Sequence, residues 1–276
     1  MRYAHILREL CFSPWLIDAG QYRVLWGLME SNLAKTAAPQ AVDQGLWRSR
    51  RSFSMAGEIA EIHVLGTTAK GLTSLEESCG NTSYESIHAD IDRAERENAS
   101  AMIFNFETLG GHSLGIHDLA QRIRQHDIPS VAYTETYMCS AGYHLGAACD
   151  LIVAQQDAEV ASIGCIYMVS APSEAEVAAG LVPVVVTNRE ATLKTLGYTP
   201  MNDEHVAHLE ERAQEKFDEF KAFVTASRSI PAEAMKGQSI AAGKGIFMDL
   251  VDEIGDYGKA LEQAVELGEI AQIKVN

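Results

Sequence analysis

The sequence predicts an α/β domain with a mostly parallel sheet and outer helices. Two observations carry this. Short apolar runs alternate repeatedly with amphipathic segments of helical spacing, and clusters of Gly, Ser and Thr separate them. The chain has 276 residues, 47% of them apolar and 22% charged, which is enough to bury a sizeable core.

Taken in order, residues 1–54 read as an N-terminal arm and linker, and residues 55–276 as the domain. Within the arm, 16–33 has helical spacing, with Tyr22, Leu25, Leu28 and Met29 apolar. Residues 34–53 hold Pro39 and the cluster Arg48, Arg50 and Arg51, and read as a linker. The alternation then begins. Residues 59–65 (IAEIHVL) read as a strand, 66–83 as a loop, and 84–98 as a helix with Ile87, Ile91 and Ala94 on one face. A short strand at 101–106 is followed by a turn at Gly110–Gly111 and a helix at 114–126. Residues 130–133 read as a strand, 140–149 as a short helix, and 151–154 and 183–187 as further strands. Residues 203–227 form a long charged helix with Leu209, Phe217, Phe220 and Phe223 towards the core, and 246–254 and 258–270 read as helical.

Charge and cysteine usage narrow the function classes. The net charge is −16, and an acidic surface repels phosphate backbones and anionic lipid headgroups. Neither nucleic acid nor a membrane surface is expected as partner. No stretch approaches the roughly 18 apolar residues of a membrane span, and the first residues have no signal-peptide pattern, so a cytoplasmic location is expected. Five cysteines without a CxxC spacing point to free thiols. Neither metal nor cofactor is expected, because His112, His117 and His144 lack the spacing of a helical ligand pair.

Three segments carry candidate chemistry. In Asn105–Gly115, two glycines allow backbone N–H groups to face a ligand closely, as an oxyanion hole requires; a plain tight turn is the more frequent explanation of Gly-Gly. In 136–155, Ser140 stands at a helix start followed by Ala141, Gly142, Gly146, Ala147 and Ala148. Such small residues let a helix pack close to a sheet, although a serine there usually serves only as a cap. In 181–200, Lys194 lies among Ala191, Leu193, Leu196 and Tyr198. A desolvated lysine can take a proton from a hydroxyl, whereas most lysines snorkel at the surface. Cys139 adjoins Ser140 but reads as a small packed residue.

In this order and spacing the segments resemble the signal peptide peptidase A (protease IV) family, nearest to the tailed-phage prohead (capsid-assembly) proteases of the lambda type. The quoted residues are Thr108-Leu109-Gly110-Gly111, Ser140-Ala141-Gly142-Tyr143, Val160-Ala161-Ser162-Ile163-Gly164-Cys165, Lys194 with Gly197 and Pro200, and Asp249-Leu250-Val251-Asp252-Glu253-Ile254-Gly255. Ser13-Pro14-Trp15 also looks like phage members. Leu109 replaces a proline of the family pattern, Ala161 replaces a glycine, and His112 stands at a usually small or apolar position. The resemblance implies a crotonase/ClpP-like fold of repeated β-β-α units and a serine endopeptidase with a Ser–Lys dyad. Ser140 is then the nucleophile and Lys194 the base, with Gly110, Gly111 and Ala141 shaping the oxyanion hole. It implies a polypeptide substrate, a capsid or scaffold protein in the phage case, and a homo-oligomer with shared sites. A crotonase-type acyl-CoA enzyme and a non-catalytic capsid assembly protein are the alternatives; the presence of both Ser140 and Lys194 argues against each.

Overall fold

The computed structural model describes residues 15–17, 53–167, 186–196, 199 and 201–275. The strands are β1 (Trp15–Ile17), β2 (Phe53–Ala56), β3 (Ile59–Ala69), β4 (Thr82–Ser83), β5 (Ala101–His112), β6 (Ser130–Cys139), β7 (Leu151–Ala154), β8 (Glu159–Ala161), β9 (Ser239–Ala241) and β10 (Glu253–Ile254). They form one sheet whose main path runs β10-β7-β6-β5-β3-β2. The central pairings β3–β5, β5–β6 and β6–β7 are parallel, while β1–β5, β2–β3 and β8–β9 are antiparallel. The expected mixed α/β architecture with a mostly parallel sheet and outer helices is therefore what the chain adopts. Strand β5 opens with four consecutive buried residues, Ala101 to Phe104, as a strand covered on both faces does.

The helices are α1 (Ser74–Ser78), α2 (Tyr84–Arg96), α3 (Ile116–Arg124), α4 (Ala141–Gly146), α5 (Asp203–Thr225), α6 (Ala242–Gly245) and α7 (Tyr257–Val275). Helix α2 starts where the Ser83 hydroxyl accepts from the Ser86 N–H at 3.0 Å, a side-chain cap. It buries Ile87, Ile91 and Ala94, one face at helical spacing. Asn202 caps α5 by accepting from the His205 N–H at 2.8 Å. The sheet separates two apolar clusters. The larger joins Ile62, Phe104 and Phe106 to α2, α3, α4 and the Phe220 and Phe223 side chains of α5. The smaller packs Ile103, Val131, Tyr133 and Val153 against Ala260 and Ala264 of α7.

Several sequence expectations are corrected. Gly110–Gly111 is no turn: β5 runs through both glycines to His112, because β3 pairs with them at Thr67 and Thr68 on one edge and β1 on the other. The helical reading of 16–33 fails at its start, where Leu16 and Ile17 belong to β1; the remainder lies outside the described residues. Phe53, assigned to the linker, is a buried residue of β2. The loop at 66–83 contains the end of β3, α1 and β4. Of the strand at 183–187, only Val186 and Thr187 are described, and neither is in a strand. The segment 246–254 is a single 3₁₀ turn, Ile246–Met248, followed by β10.

Candidate active site

Ser140 sits on the sharp turn between β6 and α4, with φ 53° and ψ −112°. A β-carbon is strained in that region. The turn is held open by its neighbours: the Ser140 N–H donates to the Ala161 carbonyl at 2.7 Å, and the Ser140 carbonyl accepts from the His144 N–H at 2.9 Å. Although it occupies the N-cap position, its hydroxyl makes no capping bond. Oγ is buried and has no hydrogen-bond partner among the described residues. A strained backbone that presents an unsatisfied buried hydroxyl is costly for folding alone, and it is how strand–turn–helix elbows present nucleophiles.

Glycines make the turn possible. A Cβ on Gly142 would lie 2.4 Å from Thr108 Cγ2, and one on Gly146 2.3 Å from Met138 Sδ. Helix α4 thus rests directly on β5 and β6, and all six of its residues are buried. Its first N–H groups, beginning with Ala141, have no carbonyl four residues back within the helix. On β5, the Gly110 N–H donates to Thr108 Oγ1 at 3.0 Å, and Gly110 has φ 122°. A Cβ on Gly111 would lie 1.9 Å from the Thr68 carbonyl oxygen, so only glycine lets β3 approach here.

The segments singled out in the sequence, apart from that of Lys194, meet around this turn. Ala161 and Ser162 both have positive φ. Ser162 is fixed by its N–H to the Gln238 carbonyl at 3.0 Å and its hydroxyl to the Gly237 carbonyl at 3.2 Å. The Tyr143 hydroxyl donates to the Leu250 carbonyl at 3.0 Å. Asp252 accepts from the Ile152 N–H at 2.7 Å and pairs with Arg228 at 2.7 Å. The acidic element at 249–255 is therefore a brace for the serine turn, a role invisible in sequence. Beside Ser162 opens a cleft of ≈ 560 Å³, walled by Ile163, Cys165, Phe217 and Met235; burial pushes the Cys165 thiol up to about 12.

Lys194 is placed differently. It is exposed on a 3₁₀ turn, Thr192–Thr195, tethered to α5 by Thr195 Oγ1 to His205 Nε2 at 3.0 Å and by Thr192 Oγ1 to Glu204 Oε1 at 2.8 Å. Ser140 Oγ has no hydrogen-bond partner, so it is not bonded to the Lys194 amine within the single chain. Gly197 and Pro200 lie outside the described residues. Cys139 is buried with its thiol on the Glu159 carbonyl at 3.4 Å. His144 is buried and stacks on Phe220 at 4.7 Å; burial, with smaller contributions from His117 and Arg124, pushes its pKa down to about 3. His112 is buried, and its carbonyl accepts from the Tyr84 hydroxyl. Among the described residues no helix is long and apolar enough to cross a membrane.

A serine elbow on a parallel sheet, with glycines pressed against it, defines a serine-hydrolase type of site. The model of peptidase family S49 matches residues 122–271, more than half of the chain, and the chain belongs to that family; it is a serine peptidase. No curated protein matches it. Solved structures with a similar fold include a mutant of the 1510-N membrane-bound stomatin-specific protease in complex with a substrate peptide, at 17% identity and TM-score 0.39, covering 72% of this chain and 78% of that one. They also include human enoyl Coenzyme A hydratase domain-containing protein 3, at 14% identity and TM-score 0.46, covering 80% and 76%. A third is the probable enoyl-CoA hydratase EchA3 of Mycobacterium tuberculosis, at 16% identity and TM-score 0.44, covering 79% and 81%. The family assignment rests on the family model.

Proposed function

We propose that the chain is a serine endopeptidase acting through a Ser–Lys dyad and an acyl-enzyme. The observation that carries this reading is the Ser140 hydroxyl, buried and unpartnered on a backbone with φ 53°. Ser140 Oγ attacks the scissile carbonyl, and its proton passes to the amine of Lys194 acting as general base. The oxyanion forms against the N–H groups of Gly111 and Ala141, with Gly110 shaping the strand. Collapse expels the amine product, which takes the proton from Lys194. Water then hydrolyses the ester by the reverse proton path.

Lys194 is exposed and Ser140 Oγ is not bonded to it in one chain, which favours a homo-oligomer whose sites are completed between subunits. The motif resemblance favours a cytoplasmic or prohead protease that processes capsid or scaffold protein during phage head maturation. Fluorophosphonate labelling of the purified protein tests the chemistry. Labelling that disappears in Ser140→Ala is expected; equal labelling of that variant would overturn the nucleophile assignment. Cleavage of co-expressed scaffold protein, compared with an unrelated unfolded protein, tests the substrate.

A further inference from the structure

Strand β5 has two edges, and β3 holds one of them at Gly110 and Gly111 through Thr67 and Thr68. Strand β6 holds the other as far as the Thr108–Met138 pair. It then parts from β5, stays paired with β8 as far as Cys139 and turns at Ser140. Strand β1 takes the vacated edge, antiparallel, with Ile17 opposite Gly110, Leu16 opposite Gly111 and Trp15 opposite His112. A stretch of the N-terminal arm therefore continues the line of β6 beside the serine turn. An open sheet edge next to a nucleophile is where an extended peptide gains main-chain hydrogen bonds and offers its carbonyl.

We propose that Trp15–Ile17 is an internal occupant of the peptide-binding edge, so that the enzyme is held closed by its own arm and opens when an extended substrate displaces it. The inference rests on the peptidase reading for its meaning, but not for its test. Tethering places the occupant at an effective concentration of about millimolar. A three-residue strand adds few hydrogen bonds, so its hold is weak and reversible. The result is a competitive brake that strong or locally concentrated substrates overcome.

The test uses the full chain. In Ser140→Ala, Leu16→Pro and Ile17→Pro are introduced together. Opposed residues alternate between bonded and non-bonded pairs, so one of the two prolines removes a ladder N–H. A fluorescent peptide copying residues 12–20 is titrated into Ser140→Ala with and without the prolines. Affinity at least about tenfold tighter with the prolines is expected, since an occupant at millimolar effective concentration is removed. Equal affinity, or no binding to either protein, overturns the proposal. Should the prolines disturb folding, Trp15→Gly, Leu16→Gly and Ile17→Gly together weaken the same strand and are judged by the same outcomes. Hydrolysis is measured separately with Ser140 intact. Tighter binding without any cleavage by wild type or variant would remove the peptidase reading and leave the occupied edge. Cleavage by wild type without tightening would do the reverse.

Discussion

The serine and lysine halves of the site are built by opposite means. Ser140 is fixed by the core: its turn is bonded to β8, α4 rests on β5 through Gly142, and Tyr143 ties it to the 249–255 element, which Arg228 pairs with at Asp252. Lys194 stands exposed on a short 3₁₀ turn, fastened to α5 by threonine hydroxyls. One half is finished within a single chain and the other is presented outward. The contrast teaches that folding alone fixes the Ser140 turn, whereas Lys194 is held only by surface hydrogen bonds; under the proposed dyad, assembly or substrate binding would have to bring the base to the serine.

The largest effects should come from removing either half. Ser140→Ala and Lys194→Ala are each expected to lower turnover by at least about 10³-fold. Lys194→Arg should be as inactive, because a guanidinium does not give up its proton in the working pH range. Mixing the two inactive alanine variants should restore part of the activity if the dyad is shared between subunits. An active strict monomer, or no recovery with exchangeable subunits, would show that one chain completes its own site.

Next come the packing contacts of the serine half. Gly142→Ala would press a methyl onto Thr108, and Gly111→Ala would press one onto the Thr68 carbonyl. Overpacking of this kind typically costs about 1–3 kcal/mol. Gly111→Ala is expected to be worse, since its obstacle is backbone. Denaturant melts should register both losses, while Lys194→Ala should melt like wild type. A Lys194→Ala midpoint lowered as far as that of Gly142→Ala would erase the distinction between the halves.

Smaller still is the strain at the nucleophile. Glycine adopts φ 53° without a β-carbon penalty, so Ser140→Gly should be about 1 kcal/mol more stable than Ser140→Ala, and equally inactive. Equal midpoints for the two variants would mean that the turn stores no strain.

A pH scan sharpens the comparison further. Burial depresses the folded pKa of His144 from 6.5 to about 3, so between those values the unfolded state binds the extra proton. Stability is then fully present above pH 6.5 and is lost as pH falls towards 3. The wild-type melting temperature should drop more steeply across this window than that of His144→Leu. Parallel curves would rule out His144 as the cause.

Much of the serine half was legible in the sequence. The run Ser140-Ala141-Gly142-Tyr143 signals a close-packed turn, and strand 151–154 was placed within its observed bounds because its apolar run is short and flanked by Asp150 and Gln155. What could not be read locally depends on distant partners. Gly110–Gly111 looks like a turn because glycine is common in turns, yet β3 and β1 hold it as strand from both sides. Leu16 and Ile17 fall in a helical pattern in sequence, because only pairing with β5 makes them strand. The bracing role of Asp252 depends on Arg228 and Ile152, far away in the chain. Sequence leaves Lys194 open between a desolvated and a surface lysine, and its 3₁₀ turn places it at the surface.

The bond from Tyr143 to Leu250 spans 107 residues. At a synthesis rate of about 5–20 residues per second, the ribosome needs on the order of 5–20 s after making Tyr143 before Leu250 exists at all. Throughout that interval the Tyr143 hydroxyl lacks its Leu250 partner, so this tie between the serine turn and the 249–255 element is among the last that the growing chain can make.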